Sequence, residues 1–548
     1  MVRYMDPKLS NVWVNVVIWI SLVSSFSIVT LIPFDYEISA YHLCKKDPLR
    51  DCPVPGIVVS ERFLKILWNS TYWTSFVLVW AFLNVVKAYT TTAEFKKSQR
   101  LKTAIRGNLR FYLFATIGGV FGVMYLLIRV RLTFGAIFTL LMALVNIWGL
   151  FLLIILCGPG LVTVPRSLWR KSNYDRQLKY CEFVAGSRYN TLQTAKDKVH
   201  DITSKVIKVA SQIPTRNDLY PYISQVLAKC PLDAMDSAHS TSMSNMGKGN
   251  GIGGADVTYL AICNLHKDVI TRTSEARIAE QKWNNLVSKY CGLKDLLALK
   301  RSRSSEIPSK GLVTNSEEGG NIITYIWLIH VLPVLLKVLS LLCWCLTVLI
   351  LFSEFTIIFP RLNSPIASLI SLPTYNFKNM TSLYFMVPIG YILLCGFKSL
   401  TTVRISKSYS LLPKLTTPSN GVFLGGFMLR IIFPVCYNFL TMVTDPDANP
   451  PVVQQTQFLQ LFAFEDYPVL GLGFNQWMPL AIIITSLLTA GECFSSVLKV
   501  FGVASFDYEE VAEDPDVLVE GRALLSRARD TIVREKLEKE VRNPLNSV

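Results

Sequence analysis

Apolar residues in this chain gather into runs of about twenty, the length a helix needs to cross a hydrocarbon core of roughly 30 Å. Eight such runs can be drawn, at 12–33, 72–89, 111–128, 134–157, 332–352, 384–403, 421–443 and 477–500. A helix satisfies its own backbone hydrogen bonds in lipid, so the pattern predicts an all-α, polytopic helical membrane protein of about eight spans. Only Arg129, Val130, Arg131, Leu132 and Thr133 part the third run from the fourth, which predicts a tight helical hairpin.

The stretch 158–322 is too polar for lipid and long enough to form a domain. Its first half carries Leu192, Ala195, Val199, Ile202, Val206, Val209 and Ile213 at alternating spacings of three and four, which places one apolar seam along a helix. A second seam follows at Ile262, Leu265, Val269, Arg272, Ala276, Ala279, Trp283, Leu286, Tyr290, Leu293 and Leu297. Two seams joined by the Ser-, Gly-, Asn- and Met-rich segment 233–256 predict a large antiparallel coiled-coil insert with a flexible hinge. The alternative is two amphipathic helices packed beneath the membrane domain or on another chain. The expected domains are a first four-span half (1–157), the insert (158–322), a second four-span half (323–500) and a tail (501–548). In the tail, Glu535 to Lys539 and Glu538 to Arg542 have the four-residue spacing of a solvated helix.

Charge sets the expected orientation. Lys96, Lys97, Arg100, Lys102, Arg106 and Arg110 follow the second run, and Arg404, Lys407 and Lys414 follow the sixth. Segment 444–476 has no Lys or Arg and carries Asp445, Asp447, Glu465 and Asp466. Positive residues stay inside, so both termini and the insert are expected to be cytosolic. Lys45, Lys46, Arg50, Arg62 and Lys65 oppose this assignment in the first outer loop. With 51% apolar and 17% charged residues, the 548-residue chain is not disordered, collagenous or a small disulfide scaffold. The net charge of +16 borders the apolar runs instead of forming one basic domain, so no nucleic acid partner is expected.

Candidate chemistry is sparse. The five histidines, His42, His200, His239, His266 and His330, lack metal-ligand spacing, and no GxSxG, HExxH or GxxxxGK[ST] sequence occurs. Gly249, Gly251 and Gly254 match a bare GxGxxG pattern, but no strand precedes them, as a dinucleotide site requires. Catalytic, cofactor-binding and metal residues are therefore not assigned, and the expectation is a non-enzyme without cofactors. Cys44 and Cys52 share a polar loop and are candidates for a disulfide, against the alternative of two free thiols. Charges inside apolar runs are costly unless paired or hydrated. Counting residues puts Arg430 and Glu492 at similar depth in neighbouring runs, a candidate interior pair, with Lys337 and Asn84 as further interior polar positions. Such groups either hold helices together or mark a substrate or ion pathway.

Several motifs carry a resemblance. Ile32-Pro33-Phe34-Asp35 precedes Tyr41 and Cys44, and Tyr72-Trp73-Thr74-Ser75 opens the second run. Asn146-Ile147-Trp148-Gly149-Leu150-Phe151-Leu152 leads into Val164-Pro165-Arg166-Ser167-Leu168-Trp169. Lys229-Cys230-Pro231, Leu265-His266-Lys267, Trp283, Ser353-Glu354, the RIIFPVCYNFL sequence from Arg430 to Leu440 and the Gly521-bearing tail follow in order. Together they resemble the limb-region (LMBR-type) integral membrane protein family over nearly the whole chain, most nearly the branch of the second LMBR-domain-containing protein. That resemblance implies a nine-span protein with a large cytosolic coiled-coil loop and no known catalysis. The first apolar run here looks like the family's second span, which gives the expectation of eight. Relatives in the family include a lipocalin-interacting endocytic receptor and a lysosomal protein linked to cobalamin export, and the nearest branch is implicated in signalling by G-protein-coupled receptors. The expected function is thus a multi-pass receptor or signalling adaptor. Its partners would be the lipid bilayer, cytosolic or membrane proteins recruited by the insert, and a small-molecule or lipocalin-like ligand. Its expected location is the plasma membrane, with an endolysosomal membrane as the alternative. A transporter or exporter of a small organic or lipidic ligand is the competing reading, motivated by Arg430, Glu492 and Lys337.

Overall fold

The computed structural model describes residues 11–46, 59–125, 127–128, 134–235, 257–302, 326–359, 362–371, 381–402, 416–444, 451–461, 474–492 and 515–542. Among them the regular elements are helices, without a β-strand. In chain order these are α1 (Val12–Cys44), α2 (Glu61–Val77), α3 (Leu83–Thr91), α4 (Lys97–Tyr125), α5 (Phe134–Lys171), α6 (Tyr174–Gln212), α7 (Tyr220–Leu227) and α8 (Tyr259–Ser302). They continue with α9 (Leu332–Ile358), α10 (Pro365–Ser371), α11 (Thr381–Thr402), α12 (Pro418–Val443), α13 (Gln457–Leu461), α14 (Phe474–Ala490) and α15 (Pro515–Arg542). Two compact units result. One gathers Met1–Thr90, Leu101–Arg166 and Ser340–Asp507, the other Thr91–Arg100, Ser167–Leu339 and Tyr508–Val548.

In the first unit α1 packs on α11 and α12. Its 33 residues make a rod of about 50 Å at 1.5 Å per residue. The expected span stopped at Pro33, but the helix passes through it to Cys44, a disulfide-bonded cysteine. The intended partner, Cys52, lies outside the described residues. Helix starts follow local chemistry: Ser60 and Thr417 accept from the backbone N–H three residues on, and Pro418 fills a first-turn position where no donor is needed. Apolar side chains also face outward, including Phe114, Phe121, Leu341 and Val348, an exterior suited to lipid.

Among the described residues, five helices are long and apolar enough to cross a membrane: Val12–Cys44, Ile147–Lys171, Trp327–Ile358, Tyr384–Thr402 and Pro418–Val443. Pro479–Ala490 is apolar but shorter. The count of eight is therefore not reached among the described residues. A π-helical turn at Leu78–Phe82 divides the second expected span between α2 and α3. The third sits in α4, whose first half carries Lys97, Arg100, Lys102, Arg106 and Arg110. The eighth is described only to the turn after Ala490. The hairpin turn at 129–133, most of the hinge at 233–256, the GxGxxG glycines and the basic residues Arg404, Lys407 and Lys414 lie outside the described residues.

The second unit is built on α6 and α8. One cluster joins Ile202 and Val206 of α6, and Ile213 just after it, to Ile262 and Val269 of α8, and another joins Cys181 and Ala185 to Leu286, Val287, Tyr290 and Leu293. Ascending positions in α6 meet descending positions in α8, so the two helices run antiparallel. Of the seam residues, Leu192, Val199, Ile202, Val206, Val269 and Leu286 are buried, and Leu265 and Trp283 pack at the cluster edges. The packing is that of a small bundle, because two further helices lie on the pair: α7 contributes Ile223 and Val226 to one cluster, and α15 contributes Leu525 to the other. The tail helix, expected to be solvated, is thus anchored. Its sequence pattern hid this because short-range charge pairs and a buried stripe share one helix. Arg522 donates two hydrogen bonds, at 3.0 and 3.1 Å, to the buried Glu182 carboxylate, and Arg529 donates to Asp295 at 2.8 Å. Gly521 is required here, since a Cβ at that position would run into the Glu182 carbonyl.

Replacing Val206, fully buried, by Asp should destabilise the second unit by about 3–5 kcal/mol, because an unpaired charge enters an apolar cluster. Replacing the exposed Lys205 by Asp should change it by less than about 1 kcal/mol. Hydrogen exchange along α6 and α8 of the full chain checks both; equal protection in the two variants would contradict the buried seam.

Candidate functional site

Charged groups buried or half-buried among apolar helices mark where function concentrates in such a protein, and Asp35, Glu354 and Arg430 are such groups in the first unit. The first is Asp35, late in α1 and 1% exposed. Its carboxylate accepts from the Trp68 indole N–H at 2.9 Å, from the backbone N–H of Gln457 at 2.9 Å and of Phe458 at 2.8 Å, and from the Ser39 hydroxyl at 3.4 Å. One side chain thereby ties α1, α2 and the first turn of α13 together. The Trp68 ring packs on Phe458 at 5.0 Å, Phe458 stacks on Phe433 at 6.3 Å, and Phe433 meets Tyr72 edge-on at 5.1 Å.

The second is Glu354, near the end of α9, which accepts from the Asn438 side-chain amide of α12. Its other oxygen, Oε2, has no hydrogen-bond partner and borders a small cavity with Cys157, Ile392 and Ile482. Nearby, Tyr391 and Thr347 are hydrogen-bonded at 2.8 Å, and the Thr347 hydroxyl lies 2.8 Å from the Leu161 carbonyl of α5.

The third is Arg430, in the middle of α12, whose guanidinium lies 5.5 Å from the Phe427 ring centroid. The expected pair with Glu492 does not form. Helix α14 ends at Ala490, and Glu492 follows with φ of +64°, where the chain turns off the helix. Arg166, at the junction after the α5 apolar stretch, reaches that turn: its guanidinium donates to Ala490 O at 2.9 Å and lies 3.4 Å from Glu492 Oε1. Counting residues gave the two charges equal depth but carried no information on where the helix stops. Lys337 is also corrected, since it is exposed on α9 and not interior. Asn84 is half-buried and donates to Trp80 O at 3.0 Å and to the Tyr112 hydroxyl at 3.1 Å, linking α3 to α4.

The second unit holds a buried histidine. His266 is fully buried, with Nδ1 2.6 Å from the Ala93 carbonyl and Nε2 2.6 Å from the Lys229 ammonium. That geometry suits a neutral ring, protonated at Nδ1 and accepting at Nε2. Phe95 stacks on the imidazole at 4.6 Å. Burial pushes His266 below its ordinary value, the Lys229 and Arg100 charges push the same way, and the bond to Ala93 opposes them. Lys229 is lowered by burial and by Arg100.

Asp35, Glu354, Arg166 and the Lys229–His266 contact were not assigned as sites from sequence alone. A lone acid within an apolar run was the available signal for Asp35, obscured by ending the span at Pro33. The structure also joins motifs far apart in sequence: Lys229-Cys230-Pro231 meets Leu265-His266-Lys267, and Glu354 meets Asn438 of RIIFPVCYNFL.

The family model described as LMBR1-like membrane protein matches residues 1–494. This chain belongs to that family. LMBR1-like proteins similar to it include a Drosophila melanogaster LMBR1 domain-containing protein 2 homolog, 25% identical over 97% of this chain and 82% of the relative. A Caenorhabditis briggsae G-protein coupled receptor-associated protein LMBRD2 is 25% identical over 97% of this chain and 85% of its own. The Homo sapiens protein of that name is 22% identical over 96% and 81%. No solved structure matches. Membership in the LMBR1-like family and the apolar helices together make this a multi-pass membrane protein.

Two outcomes are expected. Asp35→Leu strands three buried donors, the Trp68 indole and two backbone N–H groups, and should cost about 3–5 kcal/mol, whereas Glu492→Gln, at an exposed pair, should cost less than about 1 kcal/mol. Thermal unfolding of the purified full chain followed by size-exclusion fluorescence separates them. For His266 the folded pKa lies below the unfolded value of 6.5, so the folded state binds fewer protons. Stability is intact above about pH 6.5 and falls as the medium is acidified below it. Hydrogen exchange of 93–100 and 259–270 should accelerate between about pH 7.5 and 5.5 more than chemistry alone dictates, and His266→Gln should flatten that response.

Proposed function

We propose that the chain is a non-enzymatic membrane adaptor that associates with G-protein-coupled receptors and recruits partners through its second, largely polar helical unit, which faces the cytosol together with both termini. The observation that carries this reading is the pairing of a family relationship with a built element: relatives bear the name G-protein coupled receptor-associated protein, and α6, α7, α8 and α15 form a bundle whose outer faces are charged. A ligand-moving role is the second reading. It draws support from Arg430, which lines a pocket where a pair with Glu492 was expected.

A peroxidase inserted near Asn245 in the full chain tests the first reading. Cytosolic proteins and receptors should be labelled, with receptors enriched over a multi-pass control, and tags at Met1 and Val548 should be reachable only after permeabilisation. Labelling confined to the outside would reverse the orientation. Cytosolic labelling without receptor enrichment would remove the adaptor reading.

A further inference from the structure

Arg430 carries no acidic partner among the described residues, and beside it lies a pocket of about 50 Å³ with an open mouth. Tyr72, Phe76, Trp80, Trp148 and Phe433 give this pocket aromatic walls. Trp80 and Trp148 are 39% and 48% exposed, so the pocket opens outward between apolar surfaces. Ser75 lines it too, is 2% exposed, and its hydroxyl has no hydrogen-bond partner. A guanidinium without a counter-ion and a buried hydroxyl without a partner are two costly defects in one apolar cavity. A single anionic acceptor placed between them would relieve both. The wall is held at this distance by Gly149 of α5, where a Cβ would stand 2.6 Å from Pro434 and 2.8 Å from the Arg430 carbonyl.

We propose that this pocket binds a single-chain amphiphile bearing a carboxylate, its headgroup on Arg430 and Ser75 and its hydrocarbon against the aromatic walls. Three observations select that ligand. Its planar two-oxygen head matches the guanidinium fork. Arg430 is twelve residues after Pro418 and thirteen before Val443, about 18–20 Å from either end of α12, deeper than the interface where phospholipid phosphates sit. The enclosed space is about 50 Å³, room for a small carboxylate head but not for a phospholipid headgroup, and it leaves the hydrocarbon to lie along the exposed Trp80 and Trp148 faces. The inference holds whether the chain relays signals or moves a ligand, so it is independent of the adaptor reading.

The probes are dibromostearate, dibromostearyl alcohol and a brominated phosphatidylcholine, each added to the full-length chain in phosphatidylcholine nanodiscs, with tryptophan fluorescence as readout. Dibromostearate should quench saturably, and the saturable part should vanish in the Trp80→Phe, Trp148→Phe double variant. The alcohol should need about tenfold more, and Arg430→Gln should raise the half-saturating concentration of the acid about tenfold, the scale of one lost charge-assisted contact. Ser75→Ala should raise it about threefold; this smaller change keeps the test open if Arg430→Gln yields no folded protein. Equal quenching by acid and alcohol, an unchanged half-saturation in a folded Arg430→Gln or, where that variant does not fold, in Ser75→Ala, or saturable quenching that survives the double tryptophan variant would each overturn the proposal. So would saturable quenching by the brominated phosphatidylcholine that stearate does not displace.

Discussion

A carboxylate buried among apolar helices has to find donors, and at Asp35 the donors come from three elements at once. Two are backbone N–H groups at the start of α13, which a short helix leaves without internal partners. A third is the Trp68 indole. The acid therefore fixes where α2 and α13 stand against α1, and α1 in turn carries α11 and α12. The aromatic chain from Trp68 through Phe458 and Phe433 to Tyr72 extends that anchorage to the wall around Arg430, so the pocket's shape derives from a hydrogen-bonded centre that does not itself line it.

What could be read from sequence followed from periodicity. Leu192, Val199, Ile202, Val206, Val269 and Leu286 are buried because a three-four spacing forces them onto one stripe, whatever the stripe faces. The same spacing could not say that α7 and α15 would share the pair, since Leu525, Ala528 and Ile532 make only a short stripe in a charge-rich helix. Depth along a run was equally legible, and rotation about it was not. Arg430 and Glu492 had matching depths on paper, but a helix end at Ala490 and a left-handed Glu492 sent the acid to Arg166. Lys337 turned outward by the same uncertainty of facing. Span counting suffered at α2 and α3, where a π turn interrupts a run that is apolar enough by composition.

The two units solve burial differently. In the first, most buried polar groups are hydroxyls and amides bonded to backbone or to a neighbouring side chain, as with Glu354 and Asn438 or Tyr391 and Thr347. In the second, an ion pair reaches inward from a solvated surface, the Glu182 carboxylate being buried while Arg522 is exposed, and Arg529 of the same tail helix forms a half-buried pair with Asp295. His266 is the exception there, a neutral ring held between a carbonyl and an ammonium.

The docking of Gly521 against the Glu182 backbone carries a consequence for biosynthesis. Helix α15 is translated after every apolar helix of the first unit, whereas its binding surface on α6 and α8 is made much earlier. The ribosome thus releases the bundle with Cys181, Tyr290 and Leu293 uncovered and holds it so while the later helices enter the membrane. The second unit therefore completes its core only after the apolar helices that precede α15 have been made.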